Sequence, residues 1–260
     1  LILIIAVLLI FARLFFLQII KGSDYRSLSD NNRMKTIAIH APRGIIFDRD
    51  GIPLVFNVPG FREISDDKTK LLEKNEALKL IAEGKSNLEI DSLRNYPYKD
   101  AFSHVLGYIG QISEEELEGK EFARLPSPGG EATGGQVNYK GGDLIGKIGI
   151  EREYERVLVG IKGKELVEVD SQGRVIRKLG QTDPIPGQNV TLTLDTALQK
   201  AAFDAAKDVE KGAIIVSNPK GEILALISKP SFDSNLFTMG EGYSGESSFY
   251  KSIPQILTDS

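Results

Sequence analysis

Residues 41–57 read APRGIIFDRDGIPLVFN. Two apolar runs, 45–47 and 52–56, flank Asp48-Arg49-Asp50-Gly51, and this pattern predicts strand, turn, strand. Short Asp side chains bond nearby backbone N–H groups, and Gly51 supplies the positive φ that such a turn requires. Pro53 has no N–H to donate, which places the second strand at a sheet edge. Just upstream, KTIAIHA (35–41) alternates like another strand.

On the N-terminal side, LILIIAVLLIFARLFFLQII (1–20) is the most apolar run, interrupted only by Arg13 and Gln18. A membrane helix needs about 20 mostly apolar residues. Arg13 lies toward one end, where its long stem can carry the charge to the headgroups. No small-residue cleavage site follows, which argues against a cleaved signal peptide. The expectation is a single-span anchor, with everything after about Phe16 on the far side. The helix continues through 17–33 and ends at Asn31-Asn32. The chain starts on Leu1 and stops on ILTDS (256–260), and it reads as a fragment cut at both ends.

On the C-terminal side, KTKLLEKNEALKLIAEG (68–84) sets Leu71, Leu72, Leu78 and Ile81 at helical spacing. Ser113 and Glu116 form a capping box at the start of SEEELEG. Residues 126–149 are rich in Gly and Pro and read as one long loop. IEREYERVLVG (150–160) predicts a helix with Ile150, Tyr154, Val157 and Leu158 on one face and Gly160 at its C-cap. KELVEVDSQGRVI (164–176) is a hairpin turning at Ser171-Gln172-Gly173, and TDPIPG (182–187) is a linker. After it come a strand (189–195), a helix capped by Asp195, and an apolar hairpin turning at residues 218–221. That hairpin belongs in the middle of a sheet.

The composition narrows the chemistry. A net charge of −4 argues against a nucleic-acid binder. With no Cys there is neither disulfide nor thiolate chemistry. His40 and His104 are the only histidines, so a His-rich metal site is excluded, and both read as strand or edge residues. No metal site and no cofactor are expected. Gly141 and Gly146-Lys147 have phosphate-loop spacing, but Ile148 stands where Ser or Thr would hold Mg²⁺. The DRDG turn resembles the start of a Ca²⁺ loop, but the later ligands do not follow. Asn189-Val190-Thr191 is a glycosylation sequon by pattern only.

A serine three residues before a lysine is a nucleophile signature of one class of acyl-transfer enzymes. It occurs at Ser65…Lys68, Ser217…Lys220 and Ser248…Lys251. The chemistry requires both side chains on one helix face and a desolvated lysine. Ser65 lies beside two Asp, which keep a lysine protonated. Ser217 straddles a turn with Pro219, and Ser248 lies in GYSGESS with Pro254 just after the lysine. Ser248 and Lys251 are read as a chance match.

Taken together, several segments resemble the class B penicillin-binding proteins, in their elongation-type form. RLFFLQIIKGSDY and NNRMKTIAIHAPRGIIFDRDGIPLVFNVPGF are similar to the family's juxtamembrane part, as is HVLGYIGQIS. GDLIGKIGIEREYERVLVGIKGKELVEVDSQGRVIRKL is similar to the end of its pedestal. LTLDTALQKAA and GAIIVSNPKGEILALISKPSFDSNLF resemble the first elements of its transpeptidase domain. The resemblance runs through nearly the whole chain in the family's order. It implies an α+β fold: a transmembrane anchor (1–20), an elongated mixed non-catalytic pedestal or dimerisation domain (21–186), and the beginning of a penicillin-binding transpeptidase domain (187–260), with helices around an antiparallel sheet. It also implies a single-pass protein of the inner (cytoplasmic) membrane with its bulk on the periplasmic side, acting in peptidoglycan crosslinking for cell-wall elongation. Its substrates would be stem peptides, with β-lactams acylating the same serine. Its partners would be a lipid II polymerase and the elongation scaffold.

Arg43, Gly44, Asp48, Arg49 and Gly51 match the family's R-G…D-R-x-G element. They are read as architectural, an Arg–Asp network with two turn glycines. The family's nucleophile lies in an N-R-A…P-G-S-x-x-K context, which does not surround Ser248. The S-x-N and K-T-G elements are absent as well. The catalytic serine is therefore expected beyond Ser260. A β-lactam sensor or β-lactamase on a related fold, and a non-enzymatic periplasmic scaffold, are the competing classes.

Overall fold

The computed structural model describes residues 2–22, 33–65, 68–83, 88–118, 139–170 and 174–238. They form a mixed α+β fold in two compact units, one of residues 1–39 with 162–184 and the other of 40–161 with 185–260.

The first unit begins with an α-helix, Ile2–Phe15 (α1), which passes into a π-helix, Phe16–Ile20. Nearly every described side chain on these two helices is exposed, including Leu8, Leu9 and Phe11. Among the described residues no single helix is long and apolar enough to cross a membrane. The same unit holds an antiparallel sheet of three strands, β1 (Met34–Ile39), β8 (Gly163–Val169) and β9 (Val175–Thr182), with β8 in the middle. The predicted turn at 171–173 and the helix end at Asn31-Asn32 lie outside the described residues.

In the second unit the 41–57 stretch forms the predicted hairpin. β2 (Ile46–Phe47) pairs antiparallel with β3 (Pro53–Ser65). Gly51 has φ +80, and an added Cβ would meet nothing within 4 Å. The demand for glycine there comes from the backbone alone. Gly51→Val is expected to cost about 1–3 kcal/mol through strain at a positive φ, and Gly51→Asn, which tolerates that region, much less. Thermal unfolding of the two variants checks this.

Pro53 does not open an edge strand. It is the first residue of a 13-residue strand that lies inside its sheet. Between residues 60 and 63, β3 is flanked by both β4 (Lys68–Glu73) and β5 (Leu88–Asn95). The proline is tolerated because at residue 53 the strand pairs with β2 alone, through Phe47, and the β5 and β4 ladders begin only at Phe56 and Gly60. β4 also corrects the helix predicted over 68–84. Leu71 and Leu72 pair with Arg62 and Phe61 in the sheet, and the helix covers only Lys74–Ala82 (α2). Two adjacent leucines fit either period, and a waiting strand edge decides for the strand.

A short parallel pairing of β10 (Val190–Thr191) with β2 completes this sheet. β6 (Ile109–Gln111) pairs with β7 (Leu144–Gly146), so the long Gly/Pro-rich loop contains a strand. Its residues 126–138 lie outside the described set. The predicted helix at 150–160 is two short ones, Gly149–Glu153 and Glu155–Leu158, broken at Tyr154. β11 (Gly212–Ser217) and β12 (Ile223–Lys229) form the apolar hairpin.

The Ser113–Glu116 capping box is present in both directions, with the Ser113 N–H donating to Glu116 and the Glu116 N–H to Ser113 Oγ. Asp195 caps the helix Thr196–Ala205 by accepting from the Leu198 N–H at 2.9 Å. The main core joins Ile46, Leu54, Val55, Tyr96, Phe102, Leu106, Leu158, Val190 and Leu194. It draws on residues from both sides of position 187, so the hairpin and the 190–194 segment are packed on one apolar centre.

Candidate functional site

The hairpin, the end of β5 and the two short helices at 149–158 converge on a buried ionic cluster. Arg43 enters just before β2 and donates through Nε to Glu151 at 2.8 Å and through Nη1 to Glu155 at 3.1 Å. Its Nη2 reaches the Glu151 carbonyl at 3.0 Å and also pairs with Glu155. Arg94 donates to Glu151 from Nε at 2.8 Å, and from Nη1 to the Gly44 carbonyl at 2.7 Å and to Asn57 at 3.2 Å. The phenols of Tyr96 and Tyr139 donate to Glu151 (3.3 Å) and Glu155 (2.6 Å). Glu155 also accepts the Gly146 N–H at 2.8 Å. Two arginines and two glutamates thus balance to zero net charge. Removing them from water costs several kcal/mol per ion, and close pairing with dense hydrogen bonding offsets that cost.

The electrostatics follow from the packing. Burial pushes the Glu151 carboxyl up, but Arg94 and Arg43 outweigh it and hold it below the usual carboxylate range. Burial works against the Arg43 charge as well, and Glu155 and Glu151 overcome it and raise its pKa. Burial, then the neighbouring Glu151, raises the Tyr96 phenol, and burial with Glu155 raises Tyr139.

A second site sits at the hairpin tip. Asp48 is fully buried. Its Oδ1 accepts the N–H groups of Asp50 (2.9 Å) and Ile52 (2.8 Å), which makes the turn. Its Oδ2 accepts the Thr196 hydroxyl at 2.6 Å, at the start of the 196–205 helix. Burial raises this carboxyl, but the hydrogen bonds from Thr196, Ile52 and Asp50 bring it below its ordinary value. Arg49 is exposed and contributes through its backbone N–H, 3.0 Å from the Leu194 carbonyl. The structure replaces the expected Arg–Asp network with two separate clasps. Arg43 pairs with glutamates, because Asp48 spends its oxygens on the turn and on Thr196. Gly44 serves a close approach rather than a turn: an added Cβ would lie 1.9 Å from the Gln188 carbonyl oxygen.

Both depressed carboxyls make stability depend on pH. A folded-state pKa below the unfolded one contributes stability that is present above the unfolded value, about 4, and is lost as pH falls through the folded value. Stability is expected to stay level from pH 7 to about 5 and to fall below about pH 4. Urea unfolding at several pH values checks this.

These groups do not have the layout of catalytic machinery. The carboxylates and the Arg43 guanidinium are taken up by internal partners, and Arg94 is engaged through Nε and Nη1 while its buried Nη2 has no hydrogen-bond partner. Among the described residues no group of three or more His, Asp or Glu could hold a metal ion. Ser65 and Lys68 are register partners in the β3–β4 pairing, and Ser217 and Lys220 span the end of β11 and its turn. Neither pair shares a helix face. Ser248 and Lys251 lie outside the described residues. His104 is not a strand residue; it sits in the helix Ser103–Leu106 with Nε2 2.8 Å from the Pro230 carbonyl.

Sequence reasoning missed Glu151, Glu155, Arg94 and Tyr96. Glu151 and Glu155 were visible only as an i, i+4 pair of the same sign on a predicted helix, a spacing that is unfavourable unless cations neutralise it. In the first unit, Glu168 is flanked by Arg33 and by Arg177, whose Nε lies 2.6 Å away.

The comparisons agree with this architecture. Residues 62–192 match the penicillin-binding protein dimerisation domain. The peptidoglycan D,D-transpeptidase MrdA of Escherichia coli K12 is 34% identical over 275 residues, covering 88% of this chain and 42% of its own length. Among solved structures, a complex of PBP2 with MreC from Helicobacter pylori matches with a TM-score of 0.59 at 22% identity, over 85% of this chain and 46% of that one. A peptidoglycan synthase complex, solved for the coordination of polymerization and crosslinking, matches with a TM-score of 0.55 at 26% identity, over 99% of this chain and 48% of that one. The chain spans about two fifths of the length of the curated relatives it matches. With its hairpin, buried Arg–Glu cluster and matched dimerisation domain, the chain belongs to the penicillin-binding protein family, alongside the MrdA-type peptidoglycan D,D-transpeptidases.

Proposed function

We propose that this chain is the membrane-proximal part of a serine-type peptidoglycan D,D-transpeptidase of cell-wall elongation. The observation that carries the reading is the 34% identity to a named D,D-transpeptidase over 88% of the chain. In the reaction, a serine attacks the carbonyl of the penultimate D-Ala of a stem peptide and expels the terminal D-Ala. The acyl group then passes to an amine on a second strand, and the serine is regenerated. β-Lactams acylate the same serine. The nucleophile lies C-terminal to Ser260, and Ser248 is not it.

In this reading residues 1–20 are a single-pass anchor in the inner membrane. The support is a 14-residue α-helix that runs on into a 5-residue π-helix with its apolar side chains bare. Residues 21–186 are the pedestal on the periplasmic side, and 187–260 begin the transpeptidase domain. Arg43, Gly44, Asp48, Arg49 and Gly51 are architectural: they hold the hairpin to the helices at 149–158 and 196–205. The relatives solved with MreC and within a synthase complex support a lipid II polymerase and the elongation scaffold as partners. No cofactor enters the reaction.

The test is covalent labelling by a fluorescent penicillin. The full-length protein is expected to label, and the 260-residue chain alone to stay unlabelled. Labelling of the chain that survives denaturation and disappears in Ser248→Ala would overturn the assignment.

A further inference from the structure

The segment 230–238 is seated on residues 96–108 by polar and aromatic contacts at four places. The Asn235 amide takes the place of a neighbouring strand for Tyr96. Its Oδ1 accepts the Tyr96 N–H at 2.9 Å and its Nδ2 donates to the Tyr96 carbonyl at 2.9 Å. Nδ2 also donates to Asp233 Oδ1 at 2.8 Å, which fixes the orientation of the amide. The Phe232 N–H reaches Ser103 Oγ at 3.4 Å, and His104 Nε2 lies 2.8 Å from the Pro230 carbonyl. The Phe237 ring stacks on Tyr108 at 3.9 Å, with Phe232 edge-on to both.

Tyr96 joins this strap to the ionic cluster. Its backbone is held by Asn235, while its phenol donates to Glu151, the carboxylate that both Arg43 and Arg94 require. Tyr96 is 1% exposed and Glu151 fully buried, so water cannot replace either bond without opening the packing. Asn235 cannot leave without stranding the N–H of a buried residue, while the Tyr96 carbonyl keeps the Lys99 N–H at 3.1 Å.

We infer that Tyr96 and Asn235 form a catch that makes the strap 230–238 and the Arg–Glu cluster open as one step. A disturbance of the pedestal at 149–158 is then felt where the chain leaves the strap. This coupling rests on the reading above only in that the strap lies on the side of the catalytic part.

Hydrogen exchange of the intact protein tests the catch without any use of activity, so its failure is distinct from a failure to label with penicillin. Tyr96→Phe keeps the backbone pairing and removes only the phenol bond. Asn235→Ala removes the amide. Each is expected to speed exchange about tenfold or more, and by a matching factor, in peptides covering 230–238 and 149–158. Exchange that rises only in the strap for Asn235→Ala, or only in 149–158 for Tyr96→Phe, would overturn the coupling. Tyr96→Phe is the milder change, so the test stands even where Asn235→Ala fails to fold.

Discussion

Glu151→Ala is expected to lower the unfolding free energy by about 3–5 kcal/mol, because it leaves two buried arginines short of their shared carboxylate. Arg94 is 3% exposed and Glu151 fully buried, so solvent cannot compensate. In a chain of this size that corresponds to a fall in Tm of roughly 10 °C or more. Both arginines lose a direct partner, and the Tyr96 phenol loses its acceptor. Removing charges in balance should cost less than removing one alone. Arg94→Met with Glu151→Met leaves the neutral pair Arg43–Glu155, and is expected to be less destabilising than the sum of the single changes by about 2 kcal/mol or more. Simple additivity in that cycle would show that the cluster is not a coupled unit.

The second large effect is at Gly44. Its N–H donates to the Leu158 carbonyl at 2.8 Å, and its carbonyl accepts from Arg94 at 2.7 Å. A Cβ there would meet Gln188 backbone atoms at 1.9 Å and 2.6 Å, not the movable end of a side chain. Gly44→Ala must therefore push the 187–189 segment off the hairpin, and the cost is expected to be about 3 kcal/mol, at the upper end for overpacking. The contrast with Gly51 is informative. There the space is open and the backbone angle sets the cost, whereas at Gly44 the backbone is ordinary and the space sets it. Alanine is thus expected to be far worse at 44 than at 51, as measured by thermal unfolding of the two variants.

The parts of this architecture that the sequence revealed are those whose causes are local. The Asp48–Gly51 turn, the Ser113–Glu116 box, the Asp195 cap and the three hairpins each depend on residues a few positions apart. β4 was lost because its Leu71 and Leu72 fit a helix as well as a strand, and the choice belonged to β3. The break at Tyr154 likewise divides a pattern that is helical throughout. The ionic cluster was hidden for a different reason. Arg43 and Glu151 are 108 residues apart, and Arg94 and Glu151 are 57 apart. Glu151 and Glu155 look like the solvated side of a helix until the fold brings the guanidinium groups to them. Arg43 and Asp48 were singled out as a pair through the family resemblance, yet each found its partner elsewhere.

The central claim is that this chain supports, but does not contain, the nucleophile of a peptidoglycan transpeptidase. The direct measurement is mass-spectrometric mapping of the acyl adduct after the full-length protein reacts with a penicillin. The account predicts one modified serine, C-terminal to Ser260, and unmodified peptides throughout residues 1–260. An adduct on Ser248 or any other residue of this chain, or no adduct anywhere, would contradict it.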